Sequence, residues 1–128
     1  MEIKQRAVIL IVDDQPELLS VMGMYFEHYG YRHFKAASAL AALEILEKEK
    51  IDLVICDLVM PRIGGLELLK RIRESQSDAP YFIFCSGFCD VPFAQPYPEG
   101  VLGFIQKPFT MMDLMDKVAA QLKQLEIT

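Results

Sequence analysis

Acidic residues follow two of the most apolar segments of the chain. Asp13 and Asp14 come directly after residues 7–12, and Asp57 comes directly after residues 51–56. Carboxylate oxygens are ligands that Mg²⁺ prefers, and a carboxylate can also act as a nucleophile that accepts a phosphoryl group. If both segments are neighbouring strands, the three carboxylates would repel one another unless a cation lay between them. The spacing therefore predicts an acidic cluster that holds a divalent cation.

Two more polar side chains follow later apolar segments. Ser86 comes after residues 81–85, and Lys107 comes shortly after residues 102–105. Parallel strands end along one edge of a sheet, so these residues are expected beside the acidic cluster. There the Lys107 ammonium and the Ser86 hydroxyl could stabilise phosphoryl oxygens. Each residue alone has a simpler interpretation, since Lys107 could be an ordinary solvated lysine and the Asp13-Asp14 pair an ordinary helix cap.

Strand-like and helical patterns alternate along the chain, and this alternation predicts the fold. Strands are predicted at 7–12, 31–36, 51–56, 81–85 and 102–105. Short apolar strands that alternate with helices form a parallel sheet with helices on both faces, joined by right-handed crossovers. The sequence therefore predicts an α/β fold with a doubly wound, five-stranded parallel sheet.

Helical spacing of apolar residues and capping residues define the helices. The first helix is predicted at 15–29, where apolar residues recur at helical spacing: Leu18, Met22, Tyr25, Phe26 and Tyr29. Ser38 is expected to cap a second helix at 39–48, and Gly64-Gly65 precede a third. Thr110 is expected to cap the last helix, with Asp113 in the capping-box position.

The fourth strand–helix unit departs from this pattern. Pro92, Pro96 and Pro98 lie between Cys89 and Gly100. Proline breaks helix interiors and also disfavours helical geometry in the preceding residue. The fourth helix is therefore expected to be shortened or irregular.

Length and composition limit the class of protein. A chain of 128 residues with 52% hydrophobic residues suits a single domain over 1–128. No apolar run approaches the roughly 20 residues of a membrane helix, and no signal peptide is evident, so we expect a cytoplasmic protein that does not bind membranes. A net charge of −5 without a basic run argues against direct nucleic acid binding. The odd cysteine count predicts reduced thiols, with Cys56 and Cys85 as core residues.

Together these motifs resemble the receiver domains of response regulators in two-component signalling, the CheY-like domains with a flavodoxin-like (βα)5 fold. The resemblance covers essentially the whole chain. It comprises, in order, Asp13-Asp14, Asp57-x-x-Met60-Pro61 with Gly65, Ser86-Gly87 and Lys107-Pro108-Phe109. Each motif is weak alone, but the complete set is specific because every motif follows a predicted strand.

The resemblance implies a role for each residue of the predicted site. Asp57 would be the phosphoacceptor, and Mg²⁺ would be held by Asp13, Asp14, Asp57 and the main-chain carbonyl of Val59. Ser86 and Lys107 would bind the phosphoryl group and act with Asp57 in catalysis. Ser86 and Phe104 would form the conformational switch.

The resemblance also implies partners. A histidine kinase or a histidine phosphotransfer protein would supply the phosphoryl group, and a change in the face formed by residues 86–109 would control an output domain or a downstream protein. A homodimer is also compatible with the resemblance. Such a domain catalyses its own phosphorylation and dephosphorylation and is not a conventional enzyme.

Three other functions remain to be weighed. A pseudo-receiver would bind proteins without accepting phosphate, but it would not need the complete acidic set with Ser86 and Lys107. A hydrolase with an aspartyl nucleophile would need Asp-x-Asp after the first strand, where this chain has Asp13-Asp14-Gln15-Pro16. A flavin carrier would need hydroxyls and glycines at that place.

Overall fold

A computed structural model describes residues 7–87 and 97–125 of the chain. Its five strands are β1 (Val8–Val12), β2 (Arg32–Ala36), β3 (Leu53–Asp57), β4 (Tyr81–Ser86) and β5 (Val101–Gln106). The helices within the described ranges are α1 (Pro16–His28), α2 (Ala39–Lys48), α3 (Gly65–Ser75) and α4 (Met111–Gln124). All strand pairs are parallel, in the order β2-β1-β3-β4-β5. The predicted fold is confirmed.

Alternating side chains of the strands build two hydrophobic layers. On one face, Ile11, Ile55 and Ile83 pack with residues of α1 and α4. On the other face, Val54 and Phe82 pack with residues of α2 and α3. Each fully buried side chain of this size contributes roughly 1.5–3 kcal/mol relative to an exposed one. Because β3 is buried on both faces, it forms a rigid base for the aspartate at its end.

Helix α1 buries only part of the apolar set that lies at helical spacing. Leu19, Met22 and Phe26 are buried, whereas Leu18 and Tyr25 are only partly buried. The predicted helix extends one residue too far, because α1 ends at His28, and Tyr29 beyond it is 38% exposed. A residue beyond the last helical turn no longer follows the helical period.

The predicted caps are confirmed. The Ser38 hydroxyl accepts a hydrogen bond from the Ala41 N–H at 3.1 Å. The Thr110 hydroxyl accepts one from the Asp113 N–H at 3.0 Å. Each cap satisfies a backbone donor that the first turn would otherwise leave without a partner.

The expected irregular fourth helix falls on residues 88–96, which lie outside the described residues. The described chain resumes with Tyr97, and the Val101 N–H donates to the Pro98 carbonyl at 3.0 Å. Gly100 has a φ of +82°, so this turn into β5 uses a backbone conformation that favours glycine. Within the described ranges, the helices are too short or too polar to cross a membrane.

The order of the strands creates a crevice beside the end of β1. From β1 the chain crosses to β2 on one side, whereas from β3 it crosses to β4 on the other. Open α/β sheets form binding crevices at such points, outside the carboxyl ends of the strands. Asp13 and Asp57 lie at this crevice.

Candidate functional site

The strand register brings the three predicted aspartates together. Val12 pairs with Cys56, so Asp13 and Asp57 follow at the same level of two hydrogen-bonded strands. One carboxylate oxygen from each of Asp13, Asp14 and Asp57 lies within 4.8 Å of the others. Asp13 is 2% exposed and Asp57 8%, whereas Asp14 is exposed. The cluster therefore has a buried floor and one ligand that faces solvent.

Hydrogen bonds hold both carboxylate oxygens of Asp13. Its Oδ1 accepts from the Gln15 N–H at 2.9 Å, and its Oδ2 accepts from the Lys107 ammonium at 3.0 Å. The Asp13 N–H donates to the Ala36 carbonyl at 3.1 Å. Asp13 is therefore fixed from three directions, as expected for a group that organises a site.

Lys107 is the counter-ion of the cluster. Its ammonium also donates to Asp57 Oδ2 at 3.2 Å, and its side chain is 18% exposed. The Lys107 N–H donates to the Ser86 carbonyl at 2.6 Å, and the Lys107-Pro108 peptide bond is cis. One ammonium against three carboxylates leaves the site negatively charged overall, which favours a further cation.

Burial and charge shift the proton affinities of this ion pair. Burial raises the pKa of the Asp57 carboxyl; the Lys107 charge opposes that rise, and the negative charge of Asp13 adds to it. Burial alone would lower the pKa of Lys107, but hydrogen bonds and attraction from Asp13 and Asp57 outweigh it, so the pKa is raised. Lys107 therefore remains a cation, while Asp57 is a carboxylate whose charge is only partly compensated.

Ser86 is the last residue of β4 and lies at the same edge of the sheet. It is buried, it pairs with Gln106 of β5, and its carbonyl accepts the Lys107 N–H. The next residue, Gly87, is exposed. The structure thus places Ser86 and Lys107 at adjacent strand ends. Ser86 lies beside the end of β3, whereas Lys107 lies one strand further away and reaches Asp57 through its side chain.

The loop after β3 carries the other predicted metal ligand. Val59 is 77% exposed, and its N–H lies 3.5 Å from Asp57 Oδ1. Within this loop, Arg62 has a φ of +69°, and the Ile63 N–H donates to the Pro61 carbonyl at 2.8 Å. The tight loop keeps the Val59 main chain next to the acidic cluster.

Gly65 has a structural role that the sequence pattern did not reveal. A Cβ at this position would lie 2.8 Å from the Asp57 carbonyl oxygen and 2.9 Å from Phe84 Cε1. Only glycine lets the first turn of α3 approach the strand end so closely. The second glycine at the predicted helix start was the available signal, because glycine within a helix is otherwise unfavourable.

Phe104, the predicted switch residue, is half-buried among aromatic rings. It stacks on Phe84 with ring centroids 5.8 Å apart, and it meets the edge of Tyr97 at 5.4 Å. The Tyr97 contact was not expected from the sequence.

A surface cavity of about 430 Å³ opens beside Lys107. It is lined by Gln15, Leu18, Gly87, Lys107, Pro108 and Phe109. Its lining joins apolar side chains to the charged Lys107 of the site.

Comparison with known proteins identifies the family. The sequence profile of the response regulator receiver domain matches residues 9–119. The transcriptional regulatory protein YvrH of Bacillus subtilis is 34% identical over 121 residues, which cover 94% of this chain and 51% of that protein. Sporulation initiation phosphotransferase F of the same organism is 35% identical over 86% of this chain and 89% of its own length. The chain thus spans about half of YvrH but nearly all of phosphotransferase F.

Solved structures support the same family assignment. A CheY-like receiver domain from Methanospirillum hungatei has a TM-score of 0.82 at 28% identity, over 94% of this chain and 97% of that one. The receiver domain of the hybrid histidine kinase CckA has a TM-score of 0.74 at 35% identity, over 90% and 98%. The chain therefore belongs to the response regulator receiver domains, through which two-component systems control signalling by phosphorylation.

Proposed function

We propose that this chain is a signalling switch in which Asp57 accepts a phosphoryl group from a phosphohistidine in a Mg²⁺-dependent reaction. The observation that carries the proposal is the cluster of Asp13, Asp14 and Asp57 within 4.8 Å, with the Lys107 ammonium 3.2 Å from Asp57. Phosphoryl transfer needs positioning and cations more than covalent help from the protein. This cluster offers an oxygen nucleophile, one fixed cation and the ligands for a second.

The donor set fits Mg²⁺. Receiver domains generally bind Mg²⁺ at an acidic pocket, and here three carboxylates of mixed exposure face one another. Asp13, Asp14, Asp57 and the Val59 carbonyl would hold the ion. Bound there, Mg²⁺ would neutralise charge on the transferring phosphoryl group. The response regulator TrrA of Thermotoga maritima, 27% identical with a TM-score of 0.75, was solved with Mg²⁺ and beryllofluoride.

The transfer conserves atoms and electrons. An Asp57 carboxylate oxygen forms a bond to phosphorus while the N–P bond of the phosphohistidine breaks and its electron pair returns to the imidazole nitrogen. Lys107 would then donate to a phosphoryl oxygen, and the Ser86 hydroxyl would donate to another. These new contacts bias a two-state element, in which Ser86 moves inward and Phe104 follows.

Several finer features belong to the same proposal. The donor would be a histidine kinase or a histidine phosphotransfer protein, and the face formed by 86–109 would act on an output domain or a downstream protein, with a homodimer as one form of output. The names of two relatives support these partner classes, the sensor kinase CckA of Brucella abortus and the regulatory protein YvrH. A single domain over 1–128 and a cytoplasmic location remain part of the proposal.

A pseudo-receiver is the weaker alternative. A domain that only bound proteins would have no need for a buried carboxylate whose pKa is raised by burial, nor for Lys107 bonded to both Asp13 and Asp57. Such a costly arrangement is typical of sites that perform chemistry.

The test is phosphorylation by a small donor. The protein is incubated with Mg²⁺ and acetyl phosphate, and intact mass is measured. We expect one phosphoryl group on the wild type, none on Asp57→Asn and none when EDTA removes Mg²⁺. Asp78→Asn is the matched control, because this exposed aspartate precedes β4 at the opposite edge of the sheet. Equal mass gain in wild type and Asp57→Asn would refute the phosphoacceptor assignment.

A further inference from the structure

A continuous set of contacts runs from the site to the partly buried residue Tyr97. The Asp57 carbonyl lies against Gly65, and Gly65 lies against the Phe84 ring. Phe84 stacks on Phe104, and Phe104 meets the edge of Tyr97. Packed interiors transmit displacements because they have few voids, so a change at Asp57 can reach Tyr97 through contacts alone.

Tyr97 lies beside β5, at the edge of the described sheet. Strand β5 is the last strand in the order, and Tyr97 precedes it by four residues. A Cβ at Gly103 would lie 3.9 Å from Tyr97 Cε2, so the ring also reaches the neighbour of Phe104. The Pro98 carbonyl accepts from the Val101 N–H, and this turn ties Tyr97 to the start of β5.

We propose that Tyr97 is a positioning residue that holds Phe104 in its resting place on Phe84 and so opposes the phosphorylated conformation. The inference rests on the proposed function, because it assigns Tyr97 a role in the switch of that same site. Tyr97 would thus help to set how readily the switch changes conformation.

The strand register gives the direction of the effect. Phe84 pairs with Phe104, and Ser86 pairs with Gln106, two residues nearer the carboxyl edge. Tyr97 precedes β5 in the chain, and its ring meets the edge of Phe104. We expect Phe104 to move away from Tyr97 when it moves towards Ser86, so that the edge contact is lost. An interaction made in one state only shifts the equilibrium towards that state.

The experiment measures the affinity for a phosphoryl analogue. Beryllofluoride is titrated into the full chain at saturating Mg²⁺, and bound fluoride is followed by ¹⁹F NMR. We expect Tyr97→Leu to bind about two- to tenfold more tightly than wild type, the range expected for one lost aromatic pair. Tyr97→Phe keeps the ring and should bind as the wild type does.

Two controls separate positioning from general stability. Tyr81→Leu removes another tyrosine, one that is 37% exposed at the opposite end of β4, and should leave the affinity unchanged. In a Phe104→Leu background, Tyr97→Leu should have no further effect on affinity, because the ring it acts through is gone. Urea unfolding of each variant reports stability separately.

The outcomes distinguish the two proposals. If wild type binds beryllofluoride and Tyr97→Leu binds equally or more weakly, the role of Tyr97 is refuted while the proposed function stands. An equal effect of Tyr97→Leu with and without Phe104 also refutes it. If wild type fails to bind beryllofluoride at saturating Mg²⁺, the proposed function fails and the inference fails with it.

Discussion

At the carboxyl edge of the sheet, three carboxylates lie within 4.8 Å of one another with Lys107 as their counter-ion. Directly below, the ionisable groups are the thiols of Cys56 and Cys85, and both are buried. Burial raises the pKa of the Cys56 thiol and raises that of Cys85 to about 12. The edge therefore keeps charges close together, whereas the layer below keeps its groups neutral.

This difference separates function from stability in one small domain. Like charges held together destabilise the folded state, so the edge is not arranged for stability. The interior, in contrast, has apolar side chains that pack on both faces of β3. We therefore expect substitutions in the interior to lower stability and leave phosphorylation intact. Substitutions at the edge should abolish phosphorylation and leave stability unchanged or raise it.

The largest effect on stability is expected for Phe26→Ala. Phe26 is fully buried between α1 and the sheet, and removing such a ring costs about 3–5 kcal/mol because it leaves a cavity. Urea unfolding measures this loss, and intact mass after acetyl phosphate treatment measures the chemistry at a temperature where the variant is folded.

The matched control is Leu40→Ala on α2, where the side chain is 50% exposed and the change should be within about 0.5 kcal/mol. If folded Phe26→Ala no longer accepted a phosphoryl group at Asp57, the expectation that interior substitutions spare the chemistry would be refuted.

A smaller effect is expected from the Cys85 thiol at alkaline pH. In the unfolded chain a thiol ionises near pH 9, but in the folded protein the pKa of Cys85 is raised to about 12. Above pH 9 the unfolded state therefore releases a proton that the folded state keeps, and stability falls as pH rises. The slope is about 1.4 kcal/mol per pH unit.

The measurement compares wild type with Cys85→Ala by urea unfolding at pH 8 and pH 10. We expect the alanine variant to be less stable than wild type at pH 8. The difference in unfolding free energy should narrow by about 1 kcal/mol at pH 10, because only wild type has the Cys85 thiol. A constant gap would mean that the Cys85 thiol ionises in the folded protein as readily as in water.

The sequence allowed the edge to be predicted because its signal is local. An apolar run that ends in a carboxylate marks a strand and its carboxyl end at once, so Asp13 and Asp57 could be assigned to one crevice before the strand order was known. Lys107 followed from the same logic, although its bonds to both aspartates required the structure.

Other features depend on contacts between distant elements and have no local signal. Tyr29 continues an apolar spacing, yet α1 stops one residue before it, and its hydroxyl reaches Met112 Sδ at 3.4 Å. Tyr97 follows a proline-rich stretch that predicts irregular structure, and nothing in that stretch indicates a contact with Phe104. Tertiary packing decided both cases, as it commonly does for residues at element ends.

The smallest effect, and the most direct test of the comparison, is a gain of stability in Asp57→Asn. Burial and the charge of Asp13 raise the pKa of Asp57, against the opposing effect of Lys107. A raised pKa means that ionisation costs the folded state more than the unfolded state, so wild type should lose stability as pH rises from about 4 towards the folded pKa.

The side-chain amide of the variant Asp57→Asn carries no charge, and its oxygen can still accept a hydrogen bond from Lys107. Without divalent cations at pH 7, we expect Asp57→Asn to gain on the order of 1 kcal/mol, while Asp78→Asn stays unchanged. Urea unfolding at pH 4 and pH 7 checks both, and the gain should shrink at pH 4. A loss of stability in Asp57→Asn would show that Lys107 more than compensates the repulsion, and the edge would then stabilise the fold.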